Sequence, residues 1–334
     1  MRFEKMIVSI DTHTCGEPTR TVTGGIGPIP GNTVADKMLY LRDNMDNLRT
    51  MLMHEPRGHS VMSGAILVEP CHPDADVGVI YMETGGYLPM CGHDTIGFCT
   101  ALVEAGIVVA SEPATFLTLE TPAGLVKARI SVEDGIARSV TFTNTPSFLY
   151  ARDKIIDVPG FGKIPIDIAY GGNFFAIVNA RELGITIDPD SSQEIIRAGK
   201  LIKQVVSSEL VSHPEKPFIQ GVTHVYFEGD PSSPETHGKG AVLITHDAID
   251  RSPCGTGTCA RLASMHARGG IGIGEAFVNE SIIGTRLSAR IVSEACVAGL
   301  PAVVCEVTAS AFVTGIHHFV VDPGDPLKNG FLLC

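Results

Sequence analysis

Met90-Cys91-Gly92-His93-Asp94-Thr95 and, much later, Pro253-Cys254-Gly255-Thr256-Gly257-Thr258 share the pattern Cys-Gly-x-x-Thr. Each runs into small and apolar residues at helical spacing, 94–105 after the first and 258–268 after the second. The first pattern ends at Gly106 and the second at Gly269-Gly270, where helices commonly stop. An apolar strand pattern leads into each motif, 77–82 before Cys91 and 241–244 before Cys254. A strand–Cys–helix unit present twice predicts an old duplication with two similar halves.

Working outward, short apolar runs bounded by turn residues read as strands at 6–10, 65–68, 116–119, 125–130, 139–142, 174–178, 223–227 and 303–307. Two more helices are expected. One spans 35–47 and continues through 48–53 with a charged face; the other, at 192–208, is the clearest amphipathic segment. With 36 Gly and 21 Pro, this is a strand-rich α/β (α+β) pattern. A chain of 334 residues is too long for one ordinary core and fits two domains. Thr121-Pro122-Ala123-Gly124 interrupts the strand pattern and marks the expected division: 1–121 plus 317–334 carrying Cys91, and 122–316 carrying Cys254.

Charged residues make up 19% and the net charge is -12, with no basic stretch, which argues against a nucleic-acid partner. No apolar run is long enough to span a bilayer. The opening apolar run lacks a long hydrophobic region and a cleavage site, so it reads as a first strand rather than a signal peptide. Nine scattered cysteines without a small-domain framework favour a reducing cytoplasm. Cys71, Cys99, Cys296 and Cys305 sit in apolar runs and read as buried hydrophobes, and Cys334 needs no role.

A cysteine at a helix origin has a distinct chemistry. The first amides of a helix lack internal partners, and the positive helix end favours an anion such as a substrate carboxylate. The same field raises the thiolate fraction of a nearby thiol. Gly92 and Gly255 let backbone approach a ligand closely. Two such ends serving one substrate would place a sulfur on either side of its α-carbon. One, as thiolate, removes the α-proton; the other, as thiol, returns a proton on the opposite face, with no metal or pyridoxal required in principle.

Other patterns rank lower. Gly255-Thr256-Gly257-Thr258-Cys259-Ala260 fits a dinucleotide fingerprint but lies late in the chain without a βαβ unit. His54-Glu55-Pro56-Arg57-Gly58-His59 has its second histidine one position too far for a zinc-protease helix and contains Pro and Gly. His72-Pro73-Asp74-Ala75-Asp76 reads as a polar turn and His317-His318 as structural. Asp250-Arg251-Ser252 is either a carboxylate for a substrate ammonium or an ordinary surface turn.

At these motifs the chain resembles the proline racemase family, which includes 4-hydroxyproline 2-epimerases. The likeness rests on Asp11-Thr12-His13-Thr14-Cys15-Gly16-Glu17, Glu55-Pro56-Arg57-Gly58-His59, Gly171-Gly172-Asn173-Phe174-Phe175-Ala176, residues 315–331 and the two cysteine motifs. It implies the fold shared with diaminopimelate epimerase: two pseudo-symmetric domains, each a barrel-like sheet around a central helix. It implies Cys91 and Cys254 as the two bases, and the amides of Gly92, His93, Gly255 and Thr256 on the carboxylate. The side chains of His93 and Asp250 would face the ring nitrogen. No cofactor, a small imino-acid substrate and a homodimer are also implied. A related trans-3-hydroxyproline dehydratase carries Thr at the second cysteine, so Cys254 disfavours that activity. Proline racemases tend to have Phe at the position of Ser63 and an apolar or thiol side chain at that of His224. These two polar residues favour a hydroxylated ring, hence epimerisation of trans-4-hydroxy-L-proline to cis-4-hydroxy-D-proline, with proline racemisation as the alternative. Asp94 stands where a small residue is common: it would either cap the helix or raise the Cys91 pKa. Cys259 stands where many relatives have Ser. Outside this class remain a non-catalytic imino-acid binding protein, disfavoured by two intact cysteines, and a thiol–disulfide protein, disfavoured by the lack of a C-x-x-C pair.

Overall fold

A computed structural model describes residues 3–244 and 248–333, and Cys334 lies outside them. The chain divides into two compact units, one made of the residues up to Phe142 with those from Ser310 onward, the other of Thr143–Ala309. The division expected at residue 121 instead falls inside unit one. Thr121 and Gly124 pair across a tight hairpin, so Pro122 and Ala123 turn a strand rather than link domains. The chain after Ala309 contributes a long strand to unit one, beginning earlier than the expected 317.

Unit one contains β1 (Lys5–Thr14), β2 (Glu17–Gly24), β3 (Ser63–Val68), β4 (Val77–Glu83), β5 (Gly86–Leu88), β6 (Ala114–Thr121), β7 (Gly124–Glu133), β8 (Ile136–Thr143) and, from the chain's end, β17 (Ala311–Val321). Its ladder runs β17–β1–β2–β3–β4–β6–β7, with β5 folded back on β4. The pairs β2–β3 and β4–β6 are parallel and the others antiparallel. Parallel neighbours need a crossover. The first carries α1 (Val34–Asn44) and α2 (Asn47–Met53), and the second carries α3 (Gly92–Glu104).

Unit two contains β9 (Ser147–Val158), β10 (Gly162–Tyr170), β11 (Phe174–Asn179), β12 (His224–Gly229), β13 (Gly238–Leu243), β14 (Ala276–Glu280), β15 (Arg286–Val297) and β16 (Leu300–Ala309). Each pairs with the next and β16 returns to β9, so the sheet closes. The parallel pairs are β11–β12 and β13–β14. Their crossovers carry α4 (Ser192–Val206) and α5 (Gly255–Ala267). The two units thus repeat one order of parallel and antiparallel pairs, with the cysteine-bearing helix at the same place in each.

The long helix expected at 35–53 is two helices. Thr33 and Asp36 close a capping box at the start of α1, and Met45 leaves the helical conformation (φ -141°, ψ 29°). Arg49 on α2 then pairs with Asp46 at 2.7 Å and donates to the carbonyls of Glu83 and Thr84.

Helix α3 packs against β1, β2, β3, β7 and β17, and α5 against β9, β10, β11, β15 and β16. A helix surrounded by strands must be apolar all round. Accordingly Gly92 and Asp94–Val103 are buried along α3, as are Gly255–Ser264 along α5. Fully burying a side chain such as Phe98 or Leu262 contributes about 1.5–3 kcal/mol. Such packing needs small residues at the contacts. A Cβ on Gly171 would sit 2.2 Å from the Thr256 carbonyl oxygen, and one on Gly97 2.5 Å from Thr12 Oγ1. Amphipathic α4 packs on β9, β11, β12 and β13, burying Ile195, Ala198, Ile202 and Val206.

Of the cysteines read as buried, Cys99 and Cys305 are, but Cys71 and Cys296 are exposed. Cys71 follows Pro70 after β3 has ended, and Cys296 lies opposite Pro301, one pair from the turn of the β15–β16 hairpin.

Candidate active site

Each unit presents one cysteine, and each half-site is built from its own unit. Cys91 is the residue before α3, in an extended conformation (φ -138°). The Thr95 amide and hydroxyl both donate to the Cys91 carbonyl, at 3.1 and 2.6 Å, locking the helix origin. Tyr81 on β4 shares a 2.6 Å hydrogen bond with the Thr95 hydroxyl. Gly92 and His93 supply first-turn amides without intrahelical acceptors.

The side chains behind Cys91 form a chain. Cys91 Sγ lies 3.4 Å from His93 Nδ1, and His93 Nε2 lies 3.2 Å from Asp94 Oδ1. Asp94 is completely buried. Thr19 donates its hydroxyl to Asp94 Oδ1 and Ser63 donates its own to Oδ2, both at 2.7 Å. Thr14 steadies His93 by donating to its carbonyl at 3.0 Å. Both ring nitrogens of His93 therefore face protein groups, and the Ser63 proton points at Asp94 with its oxygen lone pairs left to accept.

Burial pushes the Cys91 thiol up to about 12, the Asp94 carboxylate adds to the rise, and His93 opposes it. Burial alone would drive His93 down, but the Cys91 sulfur and the Asp94 carboxylate outweigh it and hold the imidazole well above its ordinary value. Burial would raise Asp94, yet His93, Ser63 and Thr19 together hold it below the usual carboxylate range. Of the two effects anticipated for Asp94, its charge adds to the rise at Cys91, where burial is the larger cause, and it also stands in the first turn of α3. The donor atoms of Cys91, His93 and Asp94 all lie within 4.8 Å of one another.

Cys254 also stands just before its helix, but in the left-handed region (φ 62°, ψ 101°) that non-glycine residues rarely adopt. Its sulfur accepts from the Gly257 amide at 3.4 Å and lies 3.7 Å from Thr256 Oγ1. The Thr258 hydroxyl donates to the Cys254 carbonyl at 2.7 Å. Asn279 on β14 directs Nδ2 at Tyr226 OH, Pro253 O and Thr258 Oγ1, at 2.7, 3.1 and 2.9 Å. This buried clamp holds the chain on both sides of the strained residue. Gly255 and Thr256 supply the remaining first-turn amides.

Asp250 is buried, not part of a surface turn: its Oδ1 accepts from the Ser252 amide at 2.7 Å, and the Ser252 hydroxyl accepts from the Cys254 amide at 3.1 Å. Arg251 donates to the Ile249 carbonyl at 2.6 Å. His224, on β12, is buried with Nδ1 2.7 Å from Thr223 Oγ1 and its ring 5.0 Å from that of Phe175. Burial, helped by Lys203, pulls it down to about 3, so it is neutral at physiological pH.

The histidine-bearing patterns set aside in the sequence stay outside these half-sites. His54 caps α2 and its Nε2 meets the Thr84 carbonyl at 2.9 Å. His72 and Asp74 form an exposed turn, with the Asp74 amide on His72 Nδ1. His317 Nε2 lies 3.4 Å from buried Asp11. The glycines at 255 and 257 open α5 on the crossover between the parallel strands β13 and β14, so a βαβ connection does surround them, contrary to the sequence reading; the turn itself carries Cys254 and the Gly257 amide donor to its sulfur. What sequence reasoning missed is the Thr19–Asp94–Ser63 cluster and the Asn279 clamp, because long chain separations join their members. No helix among the described residues is long and apolar enough to cross a membrane.

The family model described as proline racemase matches residues 9–332. A 4-hydroxyproline 2-epimerase of Streptosporangium roseum is 49% identical over 334 residues, covering all of both chains. A proline racemase of Clostridioides difficile is 46% identical over the same length and coverage. The crystal structure of a hydroxyproline epimerase from Agrobacterium vitis, with bound trans-4-hydroxy-L-proline, superposes with a TM-score of 0.96 at 38% identity, covering 100% of this chain and 96% of that one.

Proposed function

The chain belongs to the proline racemase family, and so is an isomerase of the amino-acid racemase and epimerase class; from that premise we propose that it epimerises trans-4-hydroxy-L-proline at the α-carbon to cis-4-hydroxy-D-proline, with Cys91 and Cys254 as the two proton-transfer groups. The observation that carries this reading is the matched pair of helix origins. Each cysteine precedes a buried helix, and each has its carbonyl tied down by the threonine four residues on. In the proposed reaction one sulfur, as thiolate, takes the α-proton and becomes a thiol. The other gives its proton to the opposite face and becomes a thiolate. The electron pair left on the α-carbon is spread toward the substrate carboxylate, which the first-turn amides at 92–93 and 255–256 would stabilise. The atoms balance without an organic cofactor.

The choice of substrate rests on Ser63 and His224. A hydroxylated ring needs polar partners, since an unpaired buried hydroxyl costs about 1–3 kcal/mol. Neutral His224 can offer Nε2, and Ser63 can offer an acceptor, its proton being committed to Asp94. Relatives named for both substrates are almost equally similar, so overall identity favours neither.

Chiral chromatography of parallel incubations with L-proline and trans-4-hydroxy-L-proline tests the reading. The expected result is inversion of the hydroxylated substrate at least tenfold faster, with the preference moving toward proline in Ser63→Phe/His224→Leu. Equal or reversed rates in the unaltered protein would assign it to proline instead. Inversion of neither substrate would overturn the proposal.

A further inference from the structure

Asp94 contributes a full negative charge in a place with no water to solvate it. Its two oxygens accept from Thr19 Oγ1, Ser63 Oγ and His93 Nε2, and a protonated carboxyl there would have to displace one of these donors. The carboxylate is therefore ionised, and its compensating cation has to come from the groups it faces. On α3 those are His93 and Cys91, and from β4 Tyr81, which itself faces Cys99. Burial raises the phenol of Tyr81 and pushes Cys99 up to about 12, so neither is charged near neutrality. His93 alone of these can be cationic.

Three protonation patterns are compatible with the distances. Thiol, neutral imidazole and carboxylate leave a net charge of minus one; so do thiolate, imidazolium and carboxylate. Thiol, imidazolium and carboxylate are neutral overall. Burying a net charge costs several kcal/mol, so the buried cluster favours the neutral pattern. Without Asp94 the count changes by one. The thiolate–imidazolium pair then becomes neutral, and the sulfur can ionise against His93 as it does in thiol–imidazole pairs.

We propose that Asp94 is a positioning residue which, acting through His93, keeps Cys91 in its thiol form in the resting enzyme, so that Cys91 begins the cycle as proton donor rather than proton acceptor. Ser63 and Thr19 hold the carboxylate in place for this task. The consequence for turnover rests on the two-cysteine reading above. The resting protonation state does not, and it is measured without substrate.

Nitrogen-15 NMR of the unaltered protein, with labelled histidine and the His93 signals assigned by their loss in His93→Gln, reads the ring directly. At pH 8 both His93 nitrogens should carry a proton. A neutral His93 ring at pH 8 would overturn the proposal, whatever the enzyme's substrate proves to be. In parallel, the pH profile of Cys91 alkylation by iodoacetamide is followed by mass spectrometry in unaltered protein and in Asp94→Asn. The variant should label Cys91 at least tenfold faster at pH 8, its profile shifted to lower pH. Cys99 on the same helix is the internal control. Faster labelling of Cys91 with Cys99 still protected supports the proposal. An unchanged or slower Cys91 rate with Cys99 protected contradicts it. If Cys99 labels as well, the core has opened and the NMR result on the unaltered protein decides.

Discussion

The two half-sites agree in backbone and differ in charge. At both, a cysteine precedes a helix enclosed by strands, and a threonine four residues later ties its hydroxyl to the cysteine carbonyl, at 2.6 Å in one and 2.7 Å in the other. The motifs share Cys, Gly and Thr, and those residues build the same local structure. They differ at the two intervening positions, His93-Asp94 against Thr256-Gly257. One sulfur faces an imidazole backed by a carboxylate; the other accepts a backbone amide in a left-handed conformation. The scaffold appears twice, and the residues at two intervening positions give each sulfur its own electrostatic setting.

The comparison extends to how each helix is seated. On α5 the close contact is backbone against backbone, from Gly171 to Thr256 and Ala260; on α3 it is Gly97 against the hydroxyl-bearing side chains of Thr12 and Thr19. Backbone cannot yield, whereas side chains rotate. Gly171→Ala should therefore destabilise unit two by more than about 3 kcal/mol, and Gly97→Ala should cost about 1–3 kcal/mol, read from urea unfolding. Equal costs would mean that the helices are seated alike.

A smaller effect separates the units by pH. In unit two, His224 and His213 are pulled by burial to about 3 and about 4. An unfolded histidine titrates near 6.5, so the stability they represent is fully present above that pH and is lost as pH falls toward 3–4. In unit one, His93 is held above its ordinary value. Its contribution is present below about 6.5 and is lost as pH rises through the folded value. Hydrogen exchange should show protection falling faster in 143–309 than in unit one between pH 6.5 and 4.5. The same fall in both units, or an earlier one in unit one, would break this contrast.

Much of the scaffold is legible in the sequence where apolar residues alternate or cluster. The strands at 65–68, 77–82 and 174–178 appear in the structure as β3, β4 and β11, one or two residues longer at most. Strands β9, β10 and β17 escape that reading. Ile155 on β9 and Phe312 and Ile316 on β17 face outward, so apolar residues there do not mark a buried face; on β10 Ile164, Ile166, Ile168 and Tyr170 do alternate and are buried, a pattern interrupted by Pro165. The helix break at Met45-Asp46 is invisible because no Gly or Pro marks it; just beyond it Arg49 donates to carbonyls of a distant segment. The cysteine motifs could be read because helix origin and nucleophile are adjacent in the chain. The role of Asp94 could not, since Thr19 and Ser63 reach it from β2 and β3.

The most direct test of two-cysteine inversion is chiral chromatography with mass analysis of trans-4-hydroxy-L-proline incubated in D2O with the unaltered protein, Cys91→Ser and Cys254→Ser. The account predicts that the inverted product carries one deuterium at the α-carbon, and that each variant inverts at least about 10²-fold more slowly. Inversion within tenfold of the unaltered rate by either variant, or product that retains the substrate's α-hydrogen without solvent deuterium, would contradict it.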